Sequence, residues 1–319
     1  MVMLVMGKRR LKNQRLLAAG CLIAFGVGFP IHSAELSAQQ PQTAAPAAVK
    51  QPFDPLPAEK QAELDQILLK WQEQSQGTRT LECKFERWHY DLLAAPAGVH
   101  AHKAEGFVAY AKPDKGVFRV DNILFYNGMK DQKPQYGADP TKQGEYWVCN
   151  GTELIEYDRG EKKCTVQTLP ENMRGQQIFN SPLPFVFNLD AAEIKQRYWI
   201  RTLKSPKPNT FLIEAWPKRQ EDRAQYKTVQ VVLNQQFEPE VLIMYAPNFH
   251  AKLAPQWDHY QFSNVKRNAL TATLRQFMGN FIPKKPPSDW EVVRENFVPP
   301  QIANQPNGGE QQPAAPRRE

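Results

Sequence analysis

The chain has 319 residues, 41% of them hydrophobic and 27 of them proline, enough for one large or two modest domains with part of the length left unfolded. Its formal charge of +7 is concentrated at the start, where residues 1–34 hold five of the 40 basic residues and none of the 33 acidic ones. The remainder is nearly balanced, and its densest basic pairs, Lys162-Lys163 and Lys284-Lys285, fall in turn-like sequence; this excludes the concentrated basic face of a nucleic-acid binder.

Residues 1–34 read as a secretory signal: Lys8, Arg9, Arg10, Lys12 and Arg15 precede an apolar run over 16–29, and Ala34 and Ala38 offer small-residue cleavage positions. The run of about fourteen residues is short of the ~20 that cross a bilayer as a helix, with an uncleaved anchor as the alternative. Ala18-Ala19-Gly20-Cys21 has the look of a lipoprotein processing site, but most of the apolar run follows Cys21 instead of preceding it. Residues 35–53, rich in Ala, Pro and Gln, form a linker, and 299–319 a disordered tail of the same character. One folded domain is expected over 54–298. Export places Cys83, Cys149 and Cys164 in an oxidising compartment, where at most one disulfide can form. Cys149 and Cys164 are expected at opposite ends of a meander, beyond the ~7 Å reach of a bond. A bond from Cys83 to either, or three buried thiols, both remain open.

The domain opens with a helix. Pro57 precedes it, Glu59 lies in its first turn, and Leu64, Ile67, Leu68 and Trp71 make one apolar stripe that ends before Gly77. Residues 79–92, 102–112 and 117–123 follow as strands, with Leu81, Cys83 and Phe85 alternating against charged neighbours and a turn at Lys112-Pro113-Asp114-Lys115-Gly116. Residues 124–143 turn polar and are expected to be an insertion. Residues 144–169 read as a meander of three short strands, reversed at Asn150-Gly151 and again over 158–163. Residues 180–196 suit a short helix capped by Ser181, with Leu183, Phe185, Phe187 and Leu189 apolar on every side. Strands resume at 198–203, 210–216, 228–234, 239–245 and 256–263, before a partly helical piece at 273–281 and an extended one at 290–293. The sum is an α+β fold: a strongly curved antiparallel sheet, a half-barrel of about eleven strands, with helices covering its concave face.

Catalytic constellations are weak. His100 and His102 alternate on one strand without a third ligand, and His250 and His259 are separated by an irregular loop. No serine lies in a Gly-x-Ser-x-Gly elbow. Glu214, Glu240 and Asp258 read as solvent-facing, and the glycosylation-like Asn150-Gly151-Thr152 is explained as a turn. The reading is a binding protein with no catalytic residues, no metal and no cofactor; a hydrolase with dispersed residues ranks third. Phe107, Phe118, Trp147, Ile155, Ile213, Val231 and Ile243 are the alternating apolar positions that meet the helices, either as a filled core or as the lining of a pocket. Alternation does not say which strand face is concave.

Four stretches resemble the periplasmic outer-membrane lipoprotein carrier (LolA-like) superfamily. They are Gly106 through Pro113 (GFVAYAKP) with the strand Val117-Phe118-Arg119-Val120, Asn150 through Asp158 (NGTELIEYD), and Ser181-Pro182-Leu183-Pro184-Phe185. With its longer strands and its Trp- and Pro-rich additions, the chain also resembles an expanded planctomycete-type member of uncharacterised function. The resemblance implies a half-open barrel capped by helices and an apolar cavity for the acyl chains of a lipid or lipidated protein client. It places Lys112 at the family's basic residue before proline; lysine keeps the charge without the planar fork of arginine. Leu183, Phe185, Phe187 and Leu189 become the lid over that cavity. A monomer in the periplasm or cell envelope is implied, and the alternative is an envelope sensor that grips a partner protein with the same sheet.

Overall fold

A computed structural model describes residues 50–171, 174 and 190–296. The secretory signal, most of the linker, the tail and Leu183, Phe185, Phe187 and Leu189 lie outside the described residues.

Helix α1, Ala58–Gln76, buries the expected stripe Leu64, Ile67, Leu68 and Trp71. The strands that follow are β1 Thr80–Tyr90, β2 His102–Ala111, β3 Lys115–Lys130, β4 Lys133–Gly137, β5 Tyr146–Asn150, β6 Glu153–Asp158, β7 Lys163–Thr168, β8 Tyr198–Leu203, β9 Phe211–Pro217, β10 Thr228–Leu233, β11 Pro239–Tyr245, β12 Trp257–Arg267 and β13 Glu291–Asn296. They form one open sheet in the order β13-β7-β6-β5-β3-β2-β1-β12-β11-β10-β9-β8, with β4 paired to β3 off this path. The fold is the expected α+β half-barrel. Neighbours are antiparallel except β13, which runs parallel to β7.

Three expectations change. The count is thirteen: residues 124–143 are not a loop insertion, since β3 continues to Lys130 and returns as β4, and the extended piece near 290–293 joins the sheet as β13 beside β7. Asp131 and Gln132 both have positive φ, the geometry of a two-residue hairpin turn. This hairpin is largely exposed on both sides, so it lacks the apolar alternation that marks a strand. Second, of the helix expected over 180–196, residues 180–189 lie outside the described ones, and the described part is α2, Ala191–Arg197. Asp190 precedes it in extended backbone and accepts from the Glu193 N–H at 2.8 Å; that cap fixes the start at Ala191.

Third, helices lie on both faces. Gly106 shows how the first face is built: a Cβ there would sit 2.5 Å from the Phe85 ring. Its absence lets Phe85 on β1 lie across β2 and stack on Phe118 of β3 at 4.9 Å. This face, with α1 and α2, carries the larger core. Beyond a short helix α3, Gln220–Arg223, a C-terminal strap of α4, Thr271–Met278, and a 3-10 turn, Gly279–Phe281, lies on the opposite face and packs Phe277 and Phe281 with Ala109, Ala111, Val117, Val148 and Ile155. β2 and β5 are therefore buried on both sides, which alternation alone did not reveal. Cys83, Cys149 and Cys164 are all free and buried, and burial pushes the Cys83 and Cys149 thiols up to about 12.

Candidate functional site

The face under α1 and α2 is apolar across ten adjacent strands, from Leu154 on β6 to Ile200 on β8. Its centre is a row of aromatic rings. Phe85 stacks on Phe118, Phe118 on Trp147 at 6.1 Å, Phe85 tilts against Tyr260 at 5.8 Å, and Tyr260 stacks on Phe262 at 6.3 Å. Among the described residues, the buried Trp147 indole N–H has no acceptor. Near the sheet edge, Glu156 lies in the same cross-strand row as Trp147. Burial, and then the charge of Glu295, push its carboxyl up to about 7.

Two residues further along the strands the same face turns polar. Arg87 donates to both oxygens of Glu145, at 2.8 and 2.9 Å, and reaches the Tyr260 hydroxyl at 3.4 Å. Burial disfavours the charged carboxylate, yet the Arg87 charge and its hydrogen bonds hold Glu145 below the usual carboxylate range. His89 Nδ1 lies 2.9 Å from Asp258, and its ring stacks on His102 at 4.6 Å. Burial, and then the Arg87 charge, push His102 down to about 4, so its imidazole is neutral near pH 7. Among the described residues, the buried Arg87 Nε and His102 Nδ1 have no partners.

Asp258 is therefore not the solvent-facing group expected: β12 carries it onto the helix-covered face, partly buried beside His89. Glu214 is also buried, at 5% exposure, but on the other face, where Arg201, Trp216 and Gln230 all donate to it. Three donors satisfy the carboxylate that alternation alone assigned to water. Among the described residues no three His, Cys, Asp or Glu side chains group to hold a metal ion.

The residues expected to line an interior divide between the faces. Phe118, Trp147, Ile213 and Val231 are in the helix-covered core. Ile155 and Phe107 belong to the strap-covered side, and Ile243, opposite Gln230 and His259, shares that side half-exposed. Lys112 is in neither interior: it is exposed in a turn with a cis bond to Pro113, and its ammonium donates to the Gln76 carbonyl at the end of α1, 2.8 Å away. There a cation meets the negative end of the helix dipole.

Sequence reasoning missed Arg87 and His89, although both lie at two-residue steps from Phe85 and hence on its face. It also missed the cleft of about 290 Å³ at the β8 edge, where Phe53, Leu56, Leu64, Tyr198 and Trp199 meet, with Lys195 and Lys218 beside them.

Fold and site together define an open-sheet α+β protein with a broad apolar face beneath two helices. No family model matches the chain, and no curated protein matches it. Solved structures to which it is similar include an uncharacterised conserved protein from Thermus thermophilus (9% identity, TM-score 0.38, 73% of this chain and 99% of that one). A LolA superfamily protein from Nitrosomonas europaea matches at 13% identity and TM-score 0.31, over 66% of this chain and 95% of that one. The lipoprotein LppX from Mycobacterium tuberculosis matches at 9% identity and TM-score 0.33, over 66% and 98%. One of these three is named as a LolA superfamily protein, the group that four stretches of the sequence resemble.

Proposed function

We propose that the helix-covered face binds the acyl chain of a lipid or lipidated protein, and that the chain works as an exported carrier without catalysis. One observation carries this reading. Ten strands lined with apolar side chains span roughly 43 Å, whereas α1, with 19 residues, is about 28 Å long and about 10 Å wide. That apolar face is far broader than either described helix, and its side chains are closed to solvent. In this reading an acyl chain enters by displacing cover from the aromatic row, whose rings are closed to solvent, and its ester oxygens meet N–H groups of Trp147 and Arg87 that have no acceptor among the described residues. The cleft at β8 is the route of entry, and its lysines suit an anionic headgroup. Residues 54–298 act as one folded monomeric unit in the periplasm or cell envelope, delivered by the signal in 1–34. Lys112 serves as a clamp on α1. Among the described residues no helix is long and apolar enough to cross a membrane.

Native mass spectrometry of protein purified without detergent tests this. The expected result is a lipid adduct that organic extraction removes and incubation with phospholipid vesicles restores. A clean apo mass after that incubation would overturn it. A clean apo mass with an envelope protein held along the open edge of β8 would favour the alternative, a sensor that grips a partner by strand addition. Turnover of lipid esters, lost on a single carboxylate or histidine change, would favour a hydrolase.

A further inference from the structure

On the face opposite the proposed acyl site, the strap leaves a cleft of about 570 Å³ between α4 and strands β1, β2, β3 and β12. That is the size of a small-ligand site. Phe107 and the buried Phe277 line it, and the Arg119 guanidinium lies 5.6 Å over the Phe107 ring. Leu270, 77% exposed, also borders it.

The polar groups of the cleft sort by what they have left to give. Asn268 is fully engaged, its Oδ1 accepting from the Arg79 N–H and its Nδ2 donating to the Gly77 carbonyl. Thr80 Oγ1 accepts from the Ala269 N–H, and Thr273 Oγ1 donates to the Leu270 carbonyl. Arg267 lies opposite Leu81, which is on the other face, and its guanidinium serves Glu238 and Thr78. Glu82, the one carboxylate lining the cleft, accepts from Lys266 at 2.9 Å. Unused capacity remains on the Lys266 ammonium, which has three donors and gives one to Glu82. It remains also on Arg119 Nη1, since Asp121 engages only Nε and Nη2, and on the side-chain amides of Gln276 and Asn280. The cleft thus combines two aromatic walls with free amides and two cations, each of which already engages one carboxylate, Asp121 or Glu82, and keeps donors to spare.

We infer that this cleft is a second binding site, for a small amphiphile with a single negative charge. The anionic head sits between Arg119 and Lys266, the apolar body lies on Phe107 and Phe277, and the tail leaves past Leu270. The site is independent of the acyl-chain reading, being on the other side of the sheet.

Calorimetric titration of the full chain with decanoate, decanol and decylammonium tests it, together with hydrogen exchange and the double variant Arg119→Gln, Lys266→Gln. Both side chains are substantially exposed, 34% and 74%, so the variant keeps its fold. The expected result is decanoate binding about tenfold tighter than decanol, a loss of about tenfold in the double variant, and protection of residues 271–281. Absence of decanoate binding at millimolar concentration, equal affinity for the three probes, or unchanged affinity in the variant would overturn the inference. Decanoate held on the α1 side would instead protect residues 58–76 and ignore the double variant, so each site can fail without the other.

Discussion

Phe85 and Arg87 sit two residues apart on β1, on the same face of the sheet, and are both nearly closed to solvent. Around Phe85 the neighbours are Phe118 and Tyr260, with Trp71 of α1 in the same core. Around Arg87 they are Glu145 and Tyr260, with His89, His102 and Asp258 close by. The first zone is held by area removed from water, the second by mutual satisfaction of charges and hydrogen bonds. A period of two assigns side chains to a face, but the depth along the strand sets the chemistry they find there.

Substitutions that treat the zones alike should give different answers. Trp71→Ala, at 1% exposure, is expected to cost about 3–5 kcal/mol in denaturant unfolding, from lost burial and the cavity left behind. Arg87→Ala is expected to cost about 3 kcal/mol because Glu145 is left without its partner. Arg87→Met combined with Glu145→Leu should recover most of that loss; no recovery would mean that the pair does more than neutralise itself.

The pH dependence separates the zones by sign. His102 binds its proton only near pH 4 in the fold and near 6.5 when unfolded. Stability is therefore lost as pH falls from about 6.5 to 4. Glu156 holds its proton up to about pH 7 in the fold and only to about 4.3 when unfolded. Its contribution is present below pH 4.3 and lost as pH rises to about 7. His102→Gln should flatten the acid limb of the stability profile and Glu156→Gln the limb between 4.3 and 7, which urea melts across pH can resolve. The smallest effect belongs to Lys112→Gln. Removing one exposed cation from the end of α1 should cost less than about 1 kcal/mol, and a larger loss would give Lys112 a role beyond the clamp.

Much of the fold was legible because its determinants are local. The stripe of α1 and the reversal at Asn150-Gly151 are written at helical and hairpin spacing; Gly151 has a positive φ, and the Asn150 side chain accepts from the Thr152 and Glu153 N–H groups. The exposed β3–β4 hairpin has no buried face and therefore no alternation. The strap was half seen, as a helical piece, but its side of the sheet was not. Ala109 with Tyr110, and Val148 with Cys149, are buried in adjacent pairs, so neither face of β2 or β5 is marked as the outer one. That same ambiguity distributed Phe107 and Ile155 to the strap side and Phe118 and Trp147 to the helix side. The polar zone was readable in part: Arg87 and His89 share the register of Phe85, whereas Glu145 and Asp258 reach them only through strand pairing distant in sequence.

Of the seven tryptophans, only Trp71 and Trp147 belong to the core of the helix-covered face. Quenching of tryptophan emission by a brominated acyl chain therefore reports directly on where such a chain lies. The expected result is quenching in the natural protein that is lost in the double variant Trp71→Phe, Trp147→Phe. Quenching that persists undiminished in that variant, or none at saturating acyl chain, would contradict an acyl site beneath α1.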